Sequence, residues 1–138
     1  MLNSHSASEA VHLMQVLASA FLAILFLQSS IDKIVDRRGN LEFLKEHFAK
    51  TWLAGLVTPM FIVITIIELS AGILTTLGCV LILLARGANI AFYGAALAAI
   101  ALIALFFGQR IAKDYPGAAV LVPYFLLTLG AIYLLAQD

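Results

Sequence analysis

Charge is scarce in this sequence. Only 12% of its 138 residues are Asp, Glu, Lys or Arg, against about 25% in an average soluble domain. The eight basic and eight acidic residues cancel, so there is no cationic surface to attract a nucleic acid. Cys79 is the single cysteine, which excludes an internal disulfide framework and a CxxC redox pair. As a lone thiol it reads as a small packing residue. The three histidines, His5, His12 and His47, share no span, which argues against a pair of axial haem ligands. No Cys/His metal spacing, Walker loop or GxGxxG occurs, so the expected metal site is none.

What is present is apolar. Hydrophobic residues make up 63% of the chain and mean hydropathy is +1.05. A soluble particle of this size leaves too much of its surface in water to hide that much apolar side chain. A disordered chain needs the opposite composition. The lipid bilayer is the solvent this sequence fits.

A span needs about 20 mostly apolar residues to cross roughly 30 Å of hydrocarbon. Four stretches meet that requirement: 10–31, 59–84, 88–107 and 117–136. They are continuously apolar, without the alternation of barrel strands, so helices are expected. Pro59 and Pro116 fall at helix starts, where a missing N–H is tolerated, and Pro123 falls inside the fourth span, where it can bend it. No Lys or Arg precedes the first span, so it reads as a retained helix and not as a cleaved signal. The expected architecture is all-α: one domain over 1–138, a transmembrane four-helix bundle. A short amphipathic interfacial helix over 40–52 lies between the first and second spans, with Asn40 as its N-cap and Trp52 in the interfacial belt.

Basic residues orient the bundle. Lys33, Arg37, Arg38, Lys45 and Lys50 follow the first span, and Arg110 and Lys113 follow the third, leaving Arg86 alone on the other side. The positive-inside rule places that richer side in the cytoplasm and both termini outside.

Glu68 is the outlier. It falls near the middle of the second span, where an acid costs about 2.5–3.5 kcal/mol to insert, so it must face protein and find a cation or a proton. Thr65, Glu68, Ala71, Gly72, Thr75, Thr76 and Cys79 recur at helical steps and form the expected inward stripe. Gly87, Ala91, Ala95 and Ala99, with Ala88 and Ala98 beside them, form a small-residue seam on the third span. Gln28, Asp32 and Asp36 recur every fourth residue around the end of the first span, with Ser29, Ser30 and Lys33 alongside. Glu68 is therefore the candidate catalytic residue, as proton acceptor or hydrogen-bond partner. Gln28, Asp32, Lys33, Asp36 and Gly72 are the candidate binding residues.

Lys33-Ile-Val-Asp36 resembles the K-x-x-D signature of the DoxX-like membrane proteins. Glu68-Leu-Ser-Ala-Gly72, followed by Gly78, resembles their E-x-x-x-G motif, and Arg86 matches a basic residue often found before their third span. Ser30 stands where that family commonly has glycine. The resemblance runs over nearly the whole chain. It implies a four-span bundle in the bacterial inner membrane, associated with a quinone-linked redox system. No cofactor is intrinsic in that reading, and a bound quinone is the one it implies. The alternative is a non-enzymatic accessory or scaffolding subunit of a larger membrane complex, or a homo-oligomer, docking through the seam on the third span and the amphipathic first loop.

Overall fold

A computed structural model describes residues 6–137, so His5 and Asp138 lie outside the described residues. It consists of α1 (Ala7–Val35), α2 (Arg37–His47), α3 (Val57–Leu83), α4 (Asn89–Ile111) and α5 (Tyr115–Leu135), with one 3-10 turn at Ala54–Leu56 before α3. The helices α1, α3, α4 and α5 are each long and apolar enough to cross a membrane. Their outward faces carry Ile24, Ile66, Leu83, Leu126 and Tyr133, all largely exposed. The chain is an all-α, multi-pass membrane protein, and these are the side chains it gives to lipid.

The spans are displaced from expectation by a few residues at each end, for reasons visible locally. The first helix starts at Ala7 because Ser6 accepts from the Glu9 N–H while Glu9 reaches back to the Ser6 N–H, a reciprocal cap. The helix expected over 40–52 runs instead from Arg37 to His47. Asn40 is not its cap: it lies inside the first turn, where its side-chain amide donates to the Asp36 carbonyl at 2.8 Å beside its own backbone N–H at 3.0 Å. The early stop has an apolar cause. Phe48, Leu53 and Val57 are buried together, and turning Phe48 inward pulls the chain off the helix and back towards α3. Trp52 lies beyond α2, exposed and edge-on to Phe107 with ring centroids 6.3 Å apart. The fourth span continues through Pro123 without interruption.

Side chains smaller than their neighbours draw the helices together. A Cβ on Gly78 would lie 2.5 Å from the Ala91 Cα, and one on Gly94 would lie 2.7 Å from the Thr75 Cγ2. Backbones of α3 and α4 therefore touch at two levels, as small residues permit in membranes. Ala91, Ala95, Ala98 and Ala99 are buried as the seam requires. Gly87 is not part of it. It sits exposed in the α3–α4 turn at φ +93. Thr76 likewise leaves the expected inward stripe of α3 and is exposed, whereas Glu68, Ala71, Gly72 and Thr75 are buried.

At the opposite end of the bundle from α2, buried Gln15 on α1 donates to the carbonyls of Leu134 at 2.8 Å and Gln137 at 3.0 Å. Leu134 lies in the last turn of α5 and Gln137 two residues past its end, where helix carbonyls run short of backbone donors. Gln15→Leu keeps the bulk and removes both bonds, and should lower bundle stability by about 1–3 kcal/mol. Unfolding in mixed micelles with increasing sodium dodecyl sulfate measures it. An unchanged midpoint would mean that water, not Gln15, serves those carbonyls.

Candidate functional site

The ionisable centre is built where α1 and α3 come closest. A Cβ on Gly72 would meet the Leu27 backbone nitrogen at 2.9 Å, so the two helices are in backbone contact one turn from Glu68. From α1, Ser29 and Lys33 then project onto that carboxylate, being two residues and one and a half turns beyond Leu27. Glu68 is 1% exposed. It stands eleven residues into α3, which is about 16 Å along the axis of a helix that is about 40 Å long.

The contacts form a closed triad. Lys33 Nζ lies 2.9 Å from Glu68 Oε1, and it also donates to Ser29 Oγ at 2.9 Å. Ser29 in turn donates to Glu68 Oε2 at 3.1 Å. The serine hydroxyl accepts from the cation and gives to the anion, so its proton is directed at the carboxylate. Oε1 has the short charge contact but no aligned hydrogen bond. Of the two oxygens it is the one with hydrogen-bonding capacity left over. The Lys33 side chain is 16% exposed and the Glu68 side chain 2%. A charged group in hydrocarbon has to be paired, and here one lysine and one hydroxyl do the pairing.

Of the residues proposed for binding, Lys33 and Gly72 belong to this centre, Gly72 as the close-contact point of the helices. Gln28, Asp32 and Asp36 are exposed and make no contact with it. They share a helical face with each other, but Ser29 and Lys33 lie one residue on, about 100° round the helix. Asp32 is met instead by Asn40 of α2, at 3.4 Å, and Asp36 joins α1 to α2. Ser30 is buried with its hydroxyl on the Leu27 carbonyl. Cys79 is half-buried near the Val16 carbonyl.

A second polar group forms at the basic end. His47, the last residue of α2, pairs through Nε2 with Gln109 Oε1 at 2.7 Å and lies 3.6 Å from Asp114 Oδ2. Asp114 also caps α5 through the Gly117 N–H. This cluster ties α2 to the α4–α5 turn, where Arg110 stacks over Tyr115 at 4.6 Å. It closes one end of an apolar cavity of about 470 Å³ between α2, α3 and α4. It also brings together the chain segments that hold Lys33, Arg37, Arg38, Lys45, Lys50, Arg110 and Lys113, at the end opposite Arg86.

Among the described residues no group of three or more His, Cys, Asp and Glu side chains converges in a way that could hold a metal ion. Comparison with known proteins finds no matching family model, no matching curated relative and no matching solved structure.

Proposed function

We propose that this chain is a DoxX-like subunit of a quinone-linked redox system in the bacterial inner membrane, and that the Lys33–Ser29–Glu68 triad is the group through which it exchanges protons. The observation that carries the reading is the triad itself: a carboxylate at mid-bundle joined through a hydroxyl to a lysine that reaches the basic end. Packing alone does not require an acid there. Reduction of a quinone to its quinol takes up two protons with two electrons, and a donor–acceptor chain running from the interface to mid-membrane is what such uptake needs. The electrons come from a partner subunit in this reading.

The segregation of seven basic residues from Arg86 supports placing the basic end in the cytoplasm and both termini outside. α2 then lies at the cytoplasmic headgroup level. The resemblance of Lys33–Asp36 and Glu68–Gly72 to the DoxX-like signatures supports the redox assignment, since each contributes one residue to the triad, which Ser29 completes. The alternative of an accessory subunit loses one of its two expected docking faces, because the α4 seam is spent inside the bundle, and keeps the other, the largely exposed α2.

Glu68→Gln keeps the shape and removes the exchangeable charge. Extracted from its own membrane in mild detergent, the wild-type protein should carry quinone in near-stoichiometric amount, and quinone reduction in those membranes should fall in the variant by about 10²-fold or more, the range for a lost proton-transfer group. Equal reduction rates in both membranes would refute the proton role. Absence of quinone from the wild-type extract would refute the quinone assignment separately.

A further inference from the structure

The cavity beneath α2 is a built site that the triad does not use. Its α3 wall runs from Val57 to Ile67 and its α4 wall from Ala104 to Gln109. Ten residues of helix cover about 15 Å, half the roughly 30 Å of hydrocarbon in a bilayer. The trough is therefore as long as one leaflet is deep. Its volume, about 470 Å³, lies within the roughly 300–1,000 Å³ of small-molecule sites. Its walls are Phe, Leu, Ile, Val, Met and Ala, with His47 and Gln109 as the only strongly polar side chains.

Those two define what a head group must be. Gln109 spends its carbonyl oxygen on His47; its amide nitrogen stands over Gly117 at the start of α5 and has no hydrogen-bond acceptor among the described residues. The basic residues next to the lining, Lys50 and Arg110, are exposed and have no carboxylate partner among the described residues. Of the acids at this end, Asp114 is engaged by His47 and the Gly117 N–H, while Asp32, Asp36, Glu42 and Glu46 are exposed and line no part of the trough. An apolar slot one leaflet deep that ends in unspent donors suits a ligand with a long apolar chain and a head that only accepts.

We propose that this groove seats one acyl chain of an anionic glycerophospholipid, with its ester and phosphate oxygens accepting from Gln109 and facing Lys50 and Arg110. The lipid bridges α2 to α3 and α4. This inference is independent of the redox reading, because none of the triad residues lines the groove.

The test uses the full chain in detergent micelles, titrated with phosphatidylglycerol, with phosphatidylcholine as the neutral-headgroup control, and with a short-chain ubiquinone, each read by native mass spectrometry. Phosphatidylglycerol should bind as a single retained molecule, about tenfold or more tighter than phosphatidylcholine. Gln109→Glu keeps the shape but replaces donors with an acceptor and a like charge, and should weaken phosphatidylglycerol about tenfold or more. Ala104→Phe fills the trough from its exposed rim and should abolish retention while leaving the helical circular dichroism intact. Equal binding of the two phospholipids, or retention unchanged in both variants, would overturn the proposal. So would ubiquinone displacing phosphatidylglycerol from the wild type, an outcome that would assign the groove to the redox ligand.

Discussion

Lys33→Met should destabilise the bundle by about 3–5 kcal/mol, the cost of removing one partner from a buried ion pair. The lysine supplies the short charge contact to Glu68 and also orders Ser29. Without it the carboxylate is left 1% exposed with a single hydroxyl as partner. It must then either remain as an uncompensated anion in hydrocarbon or take up a proton, and both cost free energy. Glu68→Leu should be comparably harmful, because it strands the ammonium group. The double replacement Lys33→Met with Glu68→Leu should recover most of the loss, since a well-packed apolar pair often equals or exceeds a buried ion pair in stability. Unfolding of all four proteins in mixed micelles closes a double-mutant cycle. If the two single losses merely add in the double variant, the pair is not coupled and the triad has no energetic reality.

A stable apolar double variant would also sharpen the functional argument. If an apolar pair holds α1 against α3 as well as the ionic one does, folding does not explain why an acid stands at mid-membrane. Activity in the host membrane then separates the two roles. A bundle that is intact but inactive is the outcome expected of a proton-exchanging group.

Much of this arrangement was legible from residue type and spacing. The four spans followed from apolar run length, and the inward direction of Glu68 followed from the cost of exposing an acid to lipid. What spacing could not supply was the rotation of α1. Gln28, Asp32 and Asp36 form as regular a stripe as Ser29 and Lys33, and only the contact of Leu27 with Gly72 decides which of them meets α3. Charge grouped the wrong face. The meeting of His47 with Gln109 had no local signal, because the two are 62 residues apart and meet only through the return of the chain after α2. That return depends on Phe48, whose burial with Leu53 and Val57 outweighed the helical pattern that continues to Trp52. The apolar run sets the start of α1 at residue 10, and the Ser6–Glu9 cap, three residues apart before that run, moves it to Ala7.

Gly78→Ala should be the most disruptive single-methyl change in the chain. The added Cβ would lie 2.6 Å from the Ala91 Cβ as well as 2.5 Å from its Cα, and most of what it meets is backbone, which cannot rotate away. Separating α3 from α4 is the only relief, and it would pull Gly94 off Thr75 as well. Overpacking of this kind costs about 1–3 kcal/mol and at times more, and here it opposes the gain of up to about 1 kcal/mol that alanine brings over glycine within a helix. Gly130→Ala provides the internal control. A Cβ there meets nothing within 4 Å, so the same chemical change on α5 should raise stability by about 0.5–1 kcal/mol. The two variants should shift the unfolding midpoint in opposite directions. A Gly78→Ala protein as stable as the Gly130→Ala one would show that α3 and α4 do not make backbone contact, and the buried placement of Ala91 and Ala95 would then need another explanation.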